Sequence, residues 1–243
     1  MALKSDIENK VKEIIDTAFS VENVSIVPDI DDSRLTFGNK GLRFEATALF
    51  IDMRGSTEIL NKHNRTTVSK LHMAYFHTIV RIAKNRYGEV RSFNGDGMLV
   101  FFEGTSKQSL NNAVRAAMEM TYMLTQSKVK DSLSKYSEIN FGIGLDDGHI
   151  LCTKVGIAGT NNRDLIWIGN AVNKSVKIGD KLYSPYHIGI SSYVYSNLSD
   201  ENKYHTTKDS WGNENTVNMW KQGTFEYNGN NETYYFTNYY WGI

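Results

Sequence analysis

Three short segments carry residue types able to handle a phosphate group. The first is Phe50-Ile51-Asp52-Met53-Arg54-Gly55-Ser56-Thr57. An acidic residue closes an apolar run, and a glycine-containing turn and a helix start follow. Free N–H groups at a helix N-terminus bind anions such as phosphate. A carboxylate beside that nest repels a phosphate unless a divalent cation lies between them. The second segment is Asn94-Gly95-Asp96-Gly97, an aspartate at a hairpin tip. Alone it reads as an ordinary turn. Next to a second aspartate on a neighbouring strand end, it completes a carboxylate pair suited to two cations about 3.5–4 Å apart. The third is Ile168-Gly169-Asn170-Ala171-Val172-Asn173-Lys174-Ser175-Val176-Lys177. A strand ends at Gly169 and a helix begins. Asn173 and Lys177 are four residues apart and share one helical face. By itself that segment reads as a solvated helix face.

The elements that must position these residues follow from periodicity. The run 43–52 is predicted to be a strand, and Ser56 the N-cap of the next helix. Apolar spacing over 57–86 predicts one long helix, or two joined near Asn64, ended by Gly88. Strands 90–93 and 98–102 flank the Asp96 turn as a hairpin. Residues 106–134 read as a second long helix. Strands 140–145 and 149–155 flank Asp146-Asp147-Gly148 as a second hairpin. A short strand 165–168, a helix 171–183 and a strand 187–191 follow. Beyond about residue 200 the chain turns polar and aromatic, with Tyr227-Asn228-Gly229-Asn230 between strand-like runs. At the other end, Ile7, Val11, Ile14, Ile15 and Phe19 mark an amphipathic helix over 2–19, whose apolar stripe needs cover from the body or a partner subunit. This order suits an α+β domain with a mostly antiparallel sheet and helices on one face.

Composition narrows the function. A chain of 243 residues, 40% hydrophobic, buries one sizeable core. Basic and acidic residues balance at 27 each, so no whole-chain basic footprint points to nucleic acid. The lone Cys152 excludes a disulfide framework and sits in an apolar run as a small buried hydrophobe. Residues 1–19 are too charged for a signal peptide, and no run reaches the roughly 20 apolar residues that cross a bilayer. The expectation is a cytoplasmic protein with neither membrane nor nucleic acid as partner. His63, His72 and His77 lack the i, i+4 spacing of a metal pair and read as surface or packing residues.

Taken as an ordered set, Phe50-Ile51-Asp52 with Gly55-Ser56-Thr57, then Gly95-Asp96-Gly97, then Gly169-Asn170-Ala171-Val172-Asn173 resemble the class III nucleotidyl cyclases, over roughly residues 46–191. The resemblance implies a ferredoxin-like domain in a homodimer whose active sites are shared between subunits. It implies an N-terminal helix and lead-in over 1–41, a catalytic domain over 42–199 and a C-terminal β-arm over 200–243. Asp52 and Asp96 match the metal-binding aspartates, for two Mn²⁺ or Mg²⁺ per site, and Met53 matches a residue lending its backbone carbonyl. Arg54, Gly55, Ser56 and Thr57 match the phosphate-binding turn. Asn173, from the other subunit, matches the asparagine that orients the ribose. Lys177 stands where the family has an arginine at the transition state. The implied reaction is in-line attack of the ribose 3′-hydroxyl on the α-phosphorus of a nucleoside triphosphate, with pyrophosphate leaving.

The departures point to the base. Ser92 and Ile166 occupy positions where purine cyclases carry purine-reading side chains, and Ile166 has no polar side-chain atom. Phe50 lies two residues before Asp52 in a strand, so both share a face. Its ring either narrows a base pocket or belongs to the core. Lys177 keeps the arginine's charge without its two-pronged geometry. Asparagines around Tyr227-Asn228-Gly229-Asn230 stand where the family has a basic phosphate ligand. With Asp52-Met53-Arg54-Gly55-Ser56-Thr57 and Asp164-Leu165-Ile166-Trp167-Ile168-Gly169, these features resemble the Pycsar pyrimidine cyclases of bacterial antiphage defence, which make cyclic UMP or cyclic CMP for a separate effector protein. The expected substrate is UTP. The alternatives are CTP, then a purine triphosphate, then a cyclase-like nucleotide-binding module that has lost catalysis.

Overall fold

In the computed structural model, the structure describes residues 2–104 and 106–243. Its centre is a 15-residue strand. In chain order the strands are β1 (Ser20–Asn23), β2 (Lys40–Arg54), β3 (Gly88–Asn94), β4 (Gly97–Glu103), β5 (Asn140–Gly156), β6 (Arg163–Ile168), β7 (Ile188–Ser191), β8 (Tyr204–Lys208), β9 (Glu214–Asn218), β10 (Lys221–Tyr227) and β11 (Asn230–Thr237). The helices are α1 (Ala2–Asp16), α2 (Ser56–Lys62), α3 (Arg65–Asn85), α4 (Lys107–Thr125), α5 (Lys128–Ser134), α6 (Asn170–Gly179), α7 (Ser192–Asn197) and α8 (Asp200–Lys203). The main sheet runs β10-β11-β7-β5-β2-β4-β3, with β1 added to β2 and β6 to β5. All neighbours are antiparallel except the pairs β5–β7 and β1–β2. The order β5-β2-β4-β3, with α3 and α4 in the connections, is the expected ferredoxin-like core. Strands β8 and β9 form a separate ribbon.

Strand β2 reads as an almost unbroken apolar run because both its faces are covered. Leu49, Ile51 and Met53 point into a core with Tyr75 and Ile79 of α3, Val114 and Ala117 of α4, and Phe141, Ile143 and Leu145 of β5. Phe44, Ala46 and Ala48 face a second core with Phe101, Ile150, Ala171 and Val172, and Phe50 packs half-buried against it. The mostly antiparallel α+β reading holds. The helices, however, do not share one face: α6 crosses the side opposite α3 and α4. Gly142 and Gly144 of β5 make this possible. A methyl group on Gly144 would lie 1.9 Å from the Ser175 carbonyl oxygen, and one on Gly142 would lie 2.4 Å from that of Gly179. Helix backbone therefore rests directly on strand backbone.

Other boundaries differ from expectation for local reasons. Asp146-Asp147-Gly148 is not a turn. It lies inside the unbroken β5, opposite Ala48, Thr47 and Ala46 of β2. The sheet itself satisfies these turn-type side chains. Thr47 Oγ1 donates to Asp147 at 2.6 Å, and the Ser191 hydroxyl holds the buried Asp146, whose carboxyl burial pushes up to about 6. The region 57–86 takes its two-helix form, because the Asn64 side chain accepts from the Thr67 N–H at 2.9 Å and starts α3. The region 106–134 also breaks, at Gln126, because Ser127 caps α5 through the Val129 N–H at 3.0 Å. Ser56 is the first residue of α2 rather than its cap, which is Gly55 at φ 72°. Helix α6 stops at Gly179, short of residue 183. Tyr87, at φ 64°, makes the turn after α3, and Gly88 opens β3. Cys152 is buried, as expected. Helix α1 buries none of its residues, so nothing among the described residues covers its stripe.

Gly144→Ala is expected to lower stability by about 3 kcal/mol, because the only relief is to lift α6 off β5. Gly38→Ala, which meets nothing within 4 Å, should stay within about 0.5 kcal/mol. Denaturant unfolding measures both, and equal stabilities for the two variants would contradict the contact.

Candidate active site

Asp52 sits at the far end of β2, in register with Gly97 of β4 on one side and Gly142 of β5 on the other. Asp96 belongs to the two-residue turn between β3 and β4, where Asn94 pairs with Gly97. Gly95 takes the left-handed conformation this turn needs, at φ 63°. Because Gly97 pairs with Asp52 and directly follows Asp96, the hairpin delivers the second carboxylate to the first. A methyl group on Gly97 would come within 3.0 Å of Asp52 Oδ1, so glycine leaves that oxygen open toward the turn.

The electrostatics record the crowding. Asp52 is half-buried, and its carboxyl pKa is raised, first by burial and then by the charge of Asp96. These outweigh the Arg54 guanidinium, although Arg54 Nη1 donates to Asp52 Oδ2 at 2.8 Å. Beneath them lies Tyr75, fully buried, its hydroxyl without a hydrogen-bond partner among the described residues. Burial and the two aspartates push its pKa well up. A carboxylate whose ionisation is opposed by burial and by the charge of Asp96, next to an orphaned hydroxyl, fits a site for added positive charge. Among the described residues no cluster of three or more His, Cys, Asp or Glu side chains could hold a metal ion. The two carboxylates of Asp52 and Asp96 fit a hard cation such as Mg²⁺ or Mn²⁺, which binds one or two carboxylates and would complete its shell from phosphate oxygens, backbone carbonyls and water. Met53, whose side chain is buried in the α3–α4 core, has its backbone adjacent to Asp52.

The other expected residues fall into three groups. Gly55, Ser56 and Thr57 form the turn into α2 directly after Asp52. Among the described residues no side chain caps that helix; the Glu58 and Ile59 N–H groups donate to the Gly55 carbonyl at 2.9 and 3.1 Å, which leaves those of Ser56 and Thr57 at its head. Phe50 lies beside the aspartates: its Cζ would meet a methyl on Gly97 at 3.0 Å and its Cδ1 one on Gly179 at 3.7 Å. Ser92 is half-buried on β3, opposite Leu99. Ile166 stands apart, and Asn173 and Lys177 face solvent. Ile166 is exposed on β6 and pairs with Thr153. From Gly142, the partner of Asp52, to Thr153 is 153 − 142 = 11 residues along β5, roughly 36 Å of strand. Asn173 and Lys177 are exposed on α6, and their side chains make no hydrogen bond or ion pair among the described residues.

Sequence reasoning missed four contributors, three glycines and Tyr75, and the contact made by a fifth residue, Arg54. Gly142, Gly144 and Gly179 bring α6 against the site. Their two-residue spacing in a strand, G-x-G, was a visible sign of close backbone approach. Arg54 was read only as part of the phosphate turn. Its guanidinium instead reaches α6, with Nη2 donating to the Gly179 carbonyl at 2.5 Å, Nε to the Leu182 carbonyl at 3.3 Å and Nη1 lying 3.6 Å from Asp180 Oδ1. Tyr75 gave no signal beyond its place in the apolar stripe of α3.

Comparison with known proteins agrees with this geometry. The family model of the adenylate and guanylate cyclase catalytic domain matches residues 43–238. The uridylate cyclase of Xanthomonas perforans is 28% identical over 100% of both chains. That of Burkholderia cepacia is 26% identical over 90% of this chain and 94% of its own. Among solved structures, the adenylyl cyclase CyaB from P. aeruginosa aligns with a TM-score of 0.64 at 20% identity, covering 81% of this chain and 95% of that one. With the acid pair, the phosphate turn and the α6 segment all inside the matched span, the chain belongs to the adenylate and guanylate cyclase catalytic domain family.

Proposed function

We propose that this cyclase converts UTP to 3′,5′-cyclic UMP and pyrophosphate, using two divalent cations, Mn²⁺ or Mg²⁺, in a site shared between two copies of the chain. The observation that carries the choice of base is Phe50. Its ring stands beside Asp52 between Gly97 and Gly179, where it shortens the space open to a base and favours a pyrimidine over a purine. Full-length likeness to uridylate cyclases supports the same choice. Sharing between copies is supported by the separation of Ile166 from Asp52 and by the exposure of Asn173 and Lys177.

Asp52 and Asp96 hold the cations, with the Met53 carbonyl. The bound cations supply charge neutralisation on the triphosphate and acidify the ribose 3′-hydroxyl. The turn of Gly55, Ser56 and Thr57 receives the phosphates at the head of α2, while the Arg54 guanidinium that precedes it is turned toward Asp52 and the end of α6. Asn173 from the second copy orients the ribose, and Lys177 offsets charge growing at the α-phosphorus as a point cation. Ser92 and Ile166 border the base and offer a purine no matching pattern of donors and acceptors. No protein nucleophile is required, since positioning and charge neutralisation dominate phosphoryl transfer. The product serves as a second messenger in antiphage defence and acts on a separate effector, a reading supported by the Pycsar resemblance alone. A cytoplasmic location agrees with the lone buried cysteine, and no helix of the described residues is long and apolar enough to cross a membrane.

Incubating the protein with each of the four triphosphates and Mn²⁺ should give cyclic UMP at least about tenfold above any other product, roughly 1.4 kcal/mol of discrimination. Cyclic CMP in the lead would move the assignment to CTP, and cyclic AMP in the lead would reject a pyrimidine enzyme. Asp52→Ala and Asp96→Ala should each lower turnover by about 100-fold or more, and persistent product in both would reject cation-assisted catalysis.

The raised pKa of Asp52 fixes the sign of the pH response. A cation must displace a proton that Asp52 holds to higher pH than an ordinary aspartate does, so Mn²⁺ binding weakens as pH falls toward that raised value. Asp96→Asn removes the repulsion and moves the acid limb to lower pH, while weakening binding at neutral pH. Mn²⁺ titrations of both proteins from pH 8 to about 5 measure this, and coincident acid limbs would contradict the coupling.

A further inference from the structure

The Arg54 side chain spends its donors inside the protein. Its Nη1 bonds Asp52 Oδ2 at 2.8 Å, its Nη2 the Gly179 carbonyl at 2.5 Å and its Nε the Leu182 carbonyl at 3.3 Å, and it is only 24% exposed. The Gly179 carbonyl closes α6 and the Leu182 carbonyl lies in the turn that follows, where backbone acceptors lose their helical partners; the Gly179 oxygen also accepts from the Leu182 N–H at 3.0 Å. A cation at that end also meets the negative pole of the helix. Room for the guanidinium comes from Gly142, since a methyl there would lie 2.8 Å from Arg54 Nη2 and 2.9 Å from the Leu182 carbonyl oxygen. Two independent features, the fork of donors and the missing side chain opposite it, thus serve one contact.

We propose that Arg54 is a positioning residue: a clasp that ties the end of α6, the helix carrying Asn173 and Lys177, to the strand end carrying Asp52. The inference rests on the reading of Asp52 as a cation ligand. Gly144 sets how closely α6 approaches β5, and Arg54 sets where along β5 the helix ends. Asp180, with Oδ1 at 3.6 Å from Nη1, adds a second carboxylate at the same point. The clasp occupies Oδ2 of Asp52 and leaves Oδ1 facing Gly97 and the Asp96 turn. One residue therefore couples the cation end of one site to the helix that the same copy offers to the other site, for its ribose and transition state. Lysine cannot replace it, because an ammonium has no planar fork to span a carboxylate and two separated carbonyls.

The test compares Arg54→Met and Arg54→Lys with the full-length wild type in three measurements. Hydrogen exchange of the amides at 179–183 should accelerate about tenfold or more in Arg54→Met, reporting the freed helix end. Turnover should drop about tenfold or more while the KM for the triphosphate stays within about threefold. Mn²⁺ binding to the free protein should be unchanged or tighter, since Oδ2 is released. Arg54→Lys should stay nearer to the methionine variant than to wild type, and it serves alone if Arg54→Met fails to fold. A KM rising about tenfold or more with exchange at 179–183 unchanged would make Arg54 a phosphate ligand and overturn the clasp. Unchanged turnover and exchange would overturn it equally. Wild-type Mn²⁺ binding that survives Asp52→Ala would instead remove the cation reading of Asp52, while the exchange measurement still judges the clasp.

Discussion

Everything in this molecule is arranged around two carboxylates that repel each other and cannot separate. Asp52 is fixed by register on both sides, between Gly97 and Gly142. Asp96 is fixed by a two-residue turn whose last partner, Gly97, is also the partner of Asp52. Moving either away means unpairing the central strand of a nine-stranded sheet. Burial and repulsion raise the Asp52 pKa even though a guanidinium already touches it. The cost is local, and a core of aliphatic and aromatic side chains on both faces of β2 offsets it. Such a site gains most from a ligand that brings positive charge, which is why its chemistry and its electrostatics point the same way.

The second constraint is steric. Helix α6 reaches the site only because β5 presents Gly142 and Gly144 on one face while Phe141, Ile143 and Leu145 fill the core on the other. Strand alternation thus separates two tasks, anchoring the sheet and receiving the helix. The same strand also sets the scale of the site. Asp52 lies at one end of the β2–β5 ladder and Ile166 near the other, too far apart for one nucleotide in one chain. The proposed two-copy site rests on that distance, and in that proposal the exposed Asn173 and Lys177 are the residues one copy offers the other.

Much of this was legible in the sequence where the signal is local. The apolar run into Asp52, the Gly95-Asp96 turn and the Asn64 cap each depend on neighbours within a few residues. The strand-like aromatic tail packs on the sheet, with Tyr234 and Phe236 in one cluster and Tyr235, Tyr239 and Trp241 against the main core. What failed depends on distant partners. Asp146-Asp147-Gly148 has the composition of a turn, but Thr47, a hundred positions earlier, satisfies Asp147 within the sheet. The crossing of α6 over the second face needed Gly142 and Gly144 to be read together with a helix backbone more than thirty residues on. Arg54 looked like part of a phosphate turn because its carbonyl acceptors lie 125 and 128 residues downstream. No local pattern identifies which atoms read the base, since Ser92, Ile166 and Phe50 come from three strands.

The most direct test of the central claim is the anomalous scattering of manganese in crystals grown with Mn²⁺ and a non-hydrolysable UTP analogue. The account predicts a peak between Asp52 and Asp96, about 2.0–2.4 Å from a carboxylate oxygen of each, with triphosphate oxygens completing the shell. Manganese elsewhere, with the nucleotide bound and both carboxylates bare, would contradict it.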